Sequence, residues 1–209
     1  MTIGLRSKSG ALRAWWWRKA SSRRARVSHA LLLAWALVSA GVAMDVRSEE
    51  APPVASERSI KAAFVFKFLS YVEWPALAFS APEAPIVIGV IGADDVAAEL
   101  AQVTASRTAN NRPVVVRRLH EGESLAGVHV LYIGRSEAAR LPGLVRSTQQ
   151  RAILTIADIP GGLEHGVAIN FLIIDGRVRF EIAPEAAERG GLKLSSRLLS
   201  VAQNVRAGS

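Results

Sequence analysis

Residues 167–183, VAINFLIIDGRVRFEIA, constrain the fold more than any other stretch of the chain. Two β-rich runs meet at Asp175-Gly176, the two-residue signature of a type I′ hairpin turn. With that pivot Ile174 faces Arg177, Leu172 faces Arg179 and Asn170 faces Glu181, while Ile173, Phe171 and Ile169 face Val178, Phe180 and Ile182. Side chains alternate across a strand, so the second set forms a wholly apolar face that must lie on a core. The other face carries Asn170, Arg177, Arg179 and Glu181 beside Leu172 and Ile174, and no residue changes face without a register slip.

Upstream, residues 86–91 (IVIGVI) form a continuous apolar run, the pattern of a strand buried on both sides in a parallel sheet. A helix over 94–107, with Val96, Leu100 and Val103 inward, and a strand over 114–119 complete a βαβ unit. A second unit follows: strand 128–133, helix 137–150 capped by Ser136, and strand 153–156. Right-handed crossovers place helices on both faces of the sheet. The expectation is therefore a three-layer, Rossmann-like α/β fold: a mostly parallel sheet from two βαβ units plus the C-terminal antiparallel hairpin.

Two helical segments flank this sheet. Ser56 or Ser59 caps a helix through about Glu73, with Ile60, Ala63, Phe64, Phe68 and Tyr71 on one face and Val65 and Phe66 widening the stripe. Pro75 ends it. Beyond Ala183 the chain turns helical, is interrupted at Gly190-Gly191 and restarts at Ser195 or Ser196, with Leu198, Leu199, Val201, Ala202 and Val205 as its packing stripe.

The net charge of +8 suggests nucleic-acid binding, but its distribution argues against that class. Eight of the 26 Lys and Arg fall in residues 1–43, which hold no acid, so the remaining 18 balance 18 Asp and Glu. The body of the protein is neutral and lacks the basic footprint that phosphate contacts need. The basic block ends at Arg23-Arg24-Ala25-Arg26 and precedes an apolar run over 30–42 and small residues at 41–43, the layout of a cleaved export signal. The run is shorter than the roughly 20 residues of a spanning helix, so no stable membrane insertion is expected after cleavage. The Arg pair leaves general and twin-arginine export both open. Residues 1–43 thus read as a signal, 44–58 as a flexible tether containing Pro52-Pro53, and 59–206 as one α/β domain placed in the periplasm.

The chain has no cysteine, which excludes thiol catalysis, Cys-ligated zinc and a lipoprotein anchor. His120, His129 and His165 stand at no metal-ligand spacing, and no metal or cofactor is expected. His129 between Val128 and Val130 reads as a structural histidine, and His165 in its Gly-rich loop as surface. Gly89 and Gly92 do not make a phosphate loop, because Asp94-Asp95 would repel the phosphate at the following helix N-terminus. Ser195-Ser196 has a capping explanation. No nucleophile–base pair emerges, so no catalytic residue is assigned. The Arg177, Arg179, Glu181 and Asn170 face suits either an anionic ligand or an acidic partner patch.

Seven blocks in order carry a resemblance: KAAFVFKFLSYVEWP (61–75), IGVIG (88–92), VHVLYI (128–133), ILTIAD (153–158), GVAIN (166–170), RFEI (179–182) and LKLSSRLL (192–199). Together they resemble the YfiR-like family over about residues 60–205. The resemblance implies a periplasmic α/β regulator, able to dimerise, that represses a membrane-bound diguanylate cyclase by binding its periplasmic region and so lowers cyclic-di-GMP; sensor kinases are further partners. The positions that match the family's N-terminal helix motif are Phe64, Phe68, Tyr71, Glu73 and Trp74, and those that match its hairpin motif are Asn170, Arg179, Phe180 and Glu181. Two departures stand out: the cysteines used for redox control in the family are missing, and Ala183 replaces the Asn that commonly follows F-E-I.

Two functional readings follow. In the first the domain is a docking inhibitor, with Phe66, Val72 and Trp74 as the exposed apolar patch. In the second it is a small-ligand receptor that uses the crevice at the carboxyl ends of the strands, near Gly92, Asp158 and His165, or the Arg177/Arg179 face. Neither reading makes it an enzyme.

Overall fold

A computed structural model describes residues 56–206. The expected export signal and most of the expected tether lie outside the described residues. Ser56 caps helix α1 (Glu57–Phe68), its hydroxyl accepting the Ser59 N–H at 3.3 Å. The last residues assigned to the tether are therefore already helical.

Helix α1 does not reach Glu73. It tightens into a 3₁₀ turn at Leu69–Tyr71 and passes into strand β1 (Val72–Glu73). Asn110 explains the early stop: its side-chain amide donates to the carbonyls of Leu69 (2.9 Å) and Val72 (3.4 Å), and Leu69 O is the acceptor that a helix continuing to Glu73 would need. The buried stripe of α1 is Lys61, Ala62, Val65 and Phe68, whereas Ala63, expected inward, is exposed.

The main sheet contains β2 (Ile86–Ile91), β3 (Thr108–Ala109), β4 (Arg112–Leu119), β5 (Val130–Ile133), β6 (Leu154–Ala157), β7 (Ile169–Ile174), β8 (Arg177–Ile182) and β10 (Asn204–Val205). Their order is β10-β8-β7-β6-β5-β2-β4-β3. The expectation of a mostly parallel sheet is corrected, because the sheet is mixed. β2 runs parallel to β4 and β5, β5 to β6, β6 to β7 and β10 to β8, but β3/β4 and β7/β8 are antiparallel. Residues Asn110 and Asn111, both at positive φ, make the unexpected turn between β3 and β4. β1 pairs instead with β9 (Lys193–Leu194), matching Val72 with Leu194 and Glu73 with Lys193 in a separate small sheet.

The hairpin has the register that Asp175-Gly176 dictates, from Ile174↔Arg177 to Ile169↔Ile182, and both turn residues have positive φ (50° and 69°).

Between β2 and β4 lies α2 (Asp94–Thr104), which ends earlier than the expected Arg107. Between β5 and β6 the chain forms a 3₁₀ segment at Arg135–Arg140 before α3 (Leu141–Thr148). Ser136 caps nothing there; its hydroxyl donates to Gly92 O at 3.0 Å. After the hairpin come α4 (Pro184–Glu188) and α5 (Ser196–Ser200), the latter capped by Ser195. The chain then returns to the sheet as β10, so Val205, expected in a helix stripe, lies exposed on an edge strand.

Alternation along the strands divides the core in two. One cluster joins Ile88, Val90, Tyr132, Ile156, Phe171 and Phe180 to Val65 and Phe68 of α1, Leu100 of α2 and Leu198 of α5. The other joins Ile91, Leu131, Ile133 and Ala157 to Leu141 and Val145 of α3. In the first, the Phe68 ring meets Phe180 edge-on at 4.9 Å and stacks with Phe171 at 6.0 Å.

Candidate functional site

Strand β2 has β4 on one side and β5 on the other, and the chain goes from β2 to α2 on one face of the sheet and from β5 to α3 on the other, which opens a crevice at their carboxyl ends. A cleft of about 350 Å³ lies there, lined by Gly92 after β2, Gly134 and Arg135 after β5, Asp158 after β6, and the first turns of α1 and α2. Two loop backbones meet at its floor: a Cβ on Gly134 would fall 2.0 Å from Gly92 O.

Charge is concentrated in this cleft. Lys61, only 2 % exposed, donates from Nζ to carboxylate oxygens of both Glu57 and Asp158. Arg135 Nη2 donates to Asp158 Oδ1 at 3.0 Å and to Glu57 Oε1 at 3.4 Å. The hydrogen bond from Lys61, with the charges of Lys61 and Arg135, holds the Glu57 carboxyl below its ordinary pKa against the opposing effect of burial. Asp158 raises the already high pKa of Arg135. Tyr132, on β5, is wholly buried; burial first, then the Asp158 and Asp95 carboxylates, keep its phenol protonated. Among the described residues its hydroxyl has no hydrogen-bond partner.

Gly92 and Asp158 thus share one crevice, as their strand-end positions suggest. His165 does not join them; it lies exposed beside a different hollow, with Val145 and Arg189. Lys61 is the residue that sequence reasoning missed. The available signal was its place in the 61–65–68 apolar spacing, where a lysine can be buried only with a counter-charge. Among the described residues no group of three or more His, Asp or Glu is placed to hold a metal.

A second surface forms around Trp74. The indole donates to His129 O at 3.3 Å. The His129 ring stacks on Phe79 at 4.4 Å, and the Arg112 guanidinium lies 3.7 Å from the Phe79 ring centroid. Arg112 also donates to the carbonyls of Ala81 (3.1 Å) and Ala84 (2.8 Å). His129 accepts the Val87 N–H on Nδ1 at 3.1 Å, and its Nε2 lies 3.1 Å from Ala78 O, so a neutral ring protonated on Nε2 satisfies both contacts. Burial lowers its pKa, in keeping with that state. This structural histidine therefore holds the 75–85 loop at Ala78 and Phe79, and Arg112 holds it at Phe79, Ala81 and Ala84. From the pinned loop Leu77 projects with 98 % of its surface exposed.

The helix-motif residues divide by burial. Phe68 and Val72 are core residues, each 1 % exposed, and cannot form part of a surface patch. Phe64 packs on the same core, 5.5 Å from Phe180. Phe66, Tyr71 and Trp74 are half-buried and Glu73 is exposed.

The hairpin's polar face also divides. Arg177 and Arg179 are exposed, Glu181 is half-buried, and Asn170 is completely buried. Asn170 Oδ1 accepts the Ile159 N–H at 3.3 Å and its Nδ2 donates to Glu181 Oε1 at 3.1 Å. Asn170 thus holds the loop that follows Asp158. On the opposite face Ile173, expected in the core, is 43 % exposed near the hairpin tip.

A family model described as YfiR/HmsC-like matches residues 58–203. The chain belongs to the YfiR/HmsC-like family. No curated protein matches it. The YfiR/HmsC-like match starts within the first turn of α1 and ends just before β10, so it takes in the Trp74 surface and all of the charged cleft except Ser56 and Glu57. Among the described residues of this YfiR/HmsC-like chain, no helix is long and apolar enough to cross a membrane.

Proposed function

We propose that this YfiR/HmsC-like chain is a non-catalytic periplasmic regulator that docks on the periplasmic region of an inner-membrane diguanylate cyclase and holds it inactive, lowering cyclic-di-GMP. The family membership supports the class of partner, with a sensor kinase second to a cyclase. The observation that carries the docking surface is Leu77: a leucine almost fully in water on a loop whose two flanks are fixed by Trp74, Phe79, His129 and Arg112. A pre-ordered apolar residue loses little entropy on burial against a partner, which suits an interface anchor. Trp74, Tyr71, Phe66 and Glu73 adjoin it in sequence and supply the aromatic and polar margin. Arg177 and Arg179 form a separate exposed basic pair open to an acidic patch of the same partner or to a second copy of the chain.

The test is calorimetric titration of residues 44–209 with the periplasmic segment of a membrane cyclase encoded beside the gene. The expected result is micromolar or tighter binding that Leu77→Asp weakens more than tenfold, about 1.4 kcal/mol. Absence of heat from the folded, concentrated pair, or binding indifferent to Leu77→Asp and Trp74→Ala, overturns the proposal.

A further inference from the structure

We infer that the cleft at the carboxyl ends of β2, β5 and β6 binds a small uncharged molecule rich in hydroxyl groups, of monosaccharide size. Tyr132 starts the argument. The residue lines the cleft and its ring fills the core as a phenylalanine would, yet it carries a buried hydroxyl that meets no hydrogen-bond partner among the described residues. An unsatisfied buried hydroxyl carries an uncompensated desolvation cost, which is removed when a ligand supplies the missing hydrogen bond.

The charges decide the chemistry of that ligand. The cleft is lined by Glu57, Asp95 and Asp158 and by Arg58, Lys61 and Arg135, which cancel. Most are already paired: Arg58 with Glu99, Lys61 with Glu57 and Asp158, and Arg135 with Asp158 and Glu57. An anion would meet the carboxylates and a cation the guanidinium groups, each losing as much as it gains. A hydroxyl both donates and accepts, so it can use the spare lone pairs of the carboxylates and the phenol without displacing a counter-ion. At the start of α2 Asp95 Oδ1 accepts the Val96 N–H at 2.8 Å, while Ala93, in the N-cap position beside Gly92, supplies no side-chain acceptor of its own. The volume of about 350 Å³ is at the low end of ligand pockets, which run from about 300 to 1,000 Å³.

This site is separate from the docking surface, and its test uses the purified full chain without any partner. Saturation-transfer NMR and calorimetry would be run with glucose, galactose and N-acetylglucosamine, with sodium phosphate and glycine as the anionic and zwitterionic comparators, on the native chain and on Tyr132→Phe. The expected result is saturable binding of at least one sugar in preference to phosphate and glycine, weakened at least tenfold by Tyr132→Phe, with the thermal midpoint of the variant equal to or above that of the native chain. The inference is overturned if no sugar binds saturably, if phosphate or glycine binds in preference, or if Tyr132→Phe leaves sugar affinity intact. A drop in the midpoint of Tyr132→Phe also overturns it, because the hydroxyl would then be serving the fold.

Discussion

Lys61 in the first turns of α1 and Asp158 at the end of β6, separated by 97 residues, form a buried ion pair that joins the start of the described chain to the centre of the sheet. Removing one member of such a pair strands the other in a low-dielectric site. Lys61→Met should lower the unfolding free energy by about 3 kcal/mol, near the lower end of the usual range for a broken buried pair, since Arg135 still faces Asp158. Urea denaturation measures this directly. The double variant Lys61→Met, Asp158→Leu should recover much of the loss, and failure to do so would show that the pair contributes more than the cost of an orphaned charge.

His129 makes stability depend on pH in a known direction. Its folded-state pKa is depressed by burial, so the ring is neutral when native and gains a proton more readily when unfolded. The stability contributed is complete above the unfolded value of about 6.5 and is lost as pH falls through the lower folded value. Protonation would also put a hydrogen on Nδ1, where the Val87 N–H now donates. Thermal midpoints should fall between neutral pH and about pH 5, and His129→Gln should flatten that part of the profile. In residues 44–209 Trp74 is the lone tryptophan, so its fluorescence should report release of the 75–85 loop over the same interval.

Phe68 is the centre of the aromatic cluster, meeting Phe64, Phe171 and Phe180. Phe68→Ala should cost about 3–5 kcal/mol, through lost apolar burial and the cavity left behind. Leu77→Asp, in contrast, should stay within about 0.5 kcal/mol of the native chain because its side chain has little to lose. Measuring the two side by side in urea separates packing on the first face of the sheet from presentation at the surface.

Gly162 and Asn170 form a tightly matched pair, for a Cβ on Gly162 would lie 2.6 Å from Asn170 Oδ1 and 2.8 Å from its Cγ. Asn170 is wholly enclosed and has nowhere to retreat. Gly162→Ala should cost about 1–3 kcal/mol and loosen the 158–162 loop. Amide hydrogen exchange at Ile159, whose N–H is held by Asn170, should speed up in the variant.

The hairpin was legible down to individual pairs because Asp175-Gly176 dictates both turn type and register. What alternation could not say is whether a face is covered. Asn170 shares a face with Arg177 and Arg179 but sits at the inner end of β7, against β6 and the 3₁₀ segment Gly162–His165, so it is buried while they are not. The end of α1 was misread for a related reason. Nothing local stops that helix; Asn110, from the turn of a distant hairpin, takes its carbonyls, and β9 claims Val72 and Glu73. The turn itself was hidden because it uses Asn110-Asn111 in place of an Asn-Gly pair. The charged cleft was half legible: strand-end rules placed Gly92 and Asp158 together, but a lysine within a helical stripe gives no hint of the carboxylate that will neutralise it.

Several partners of α1 come late in the chain. Its aromatic side chains pack on β7 and β8, its lysine waits for Asp158, and β1 has nothing to pair with until residues 193–194. A polypeptide emerging amino-terminus first can pack part of α1 on β2 and α2 early, but the aromatic face of that helix stays uncovered until β7 and β8 have arrived, and β1 stays unpaired until residues 193–194. Non-local closure of this kind must meet its loop-closure cost before the contacts reward it, so the last steps to the native state are slow.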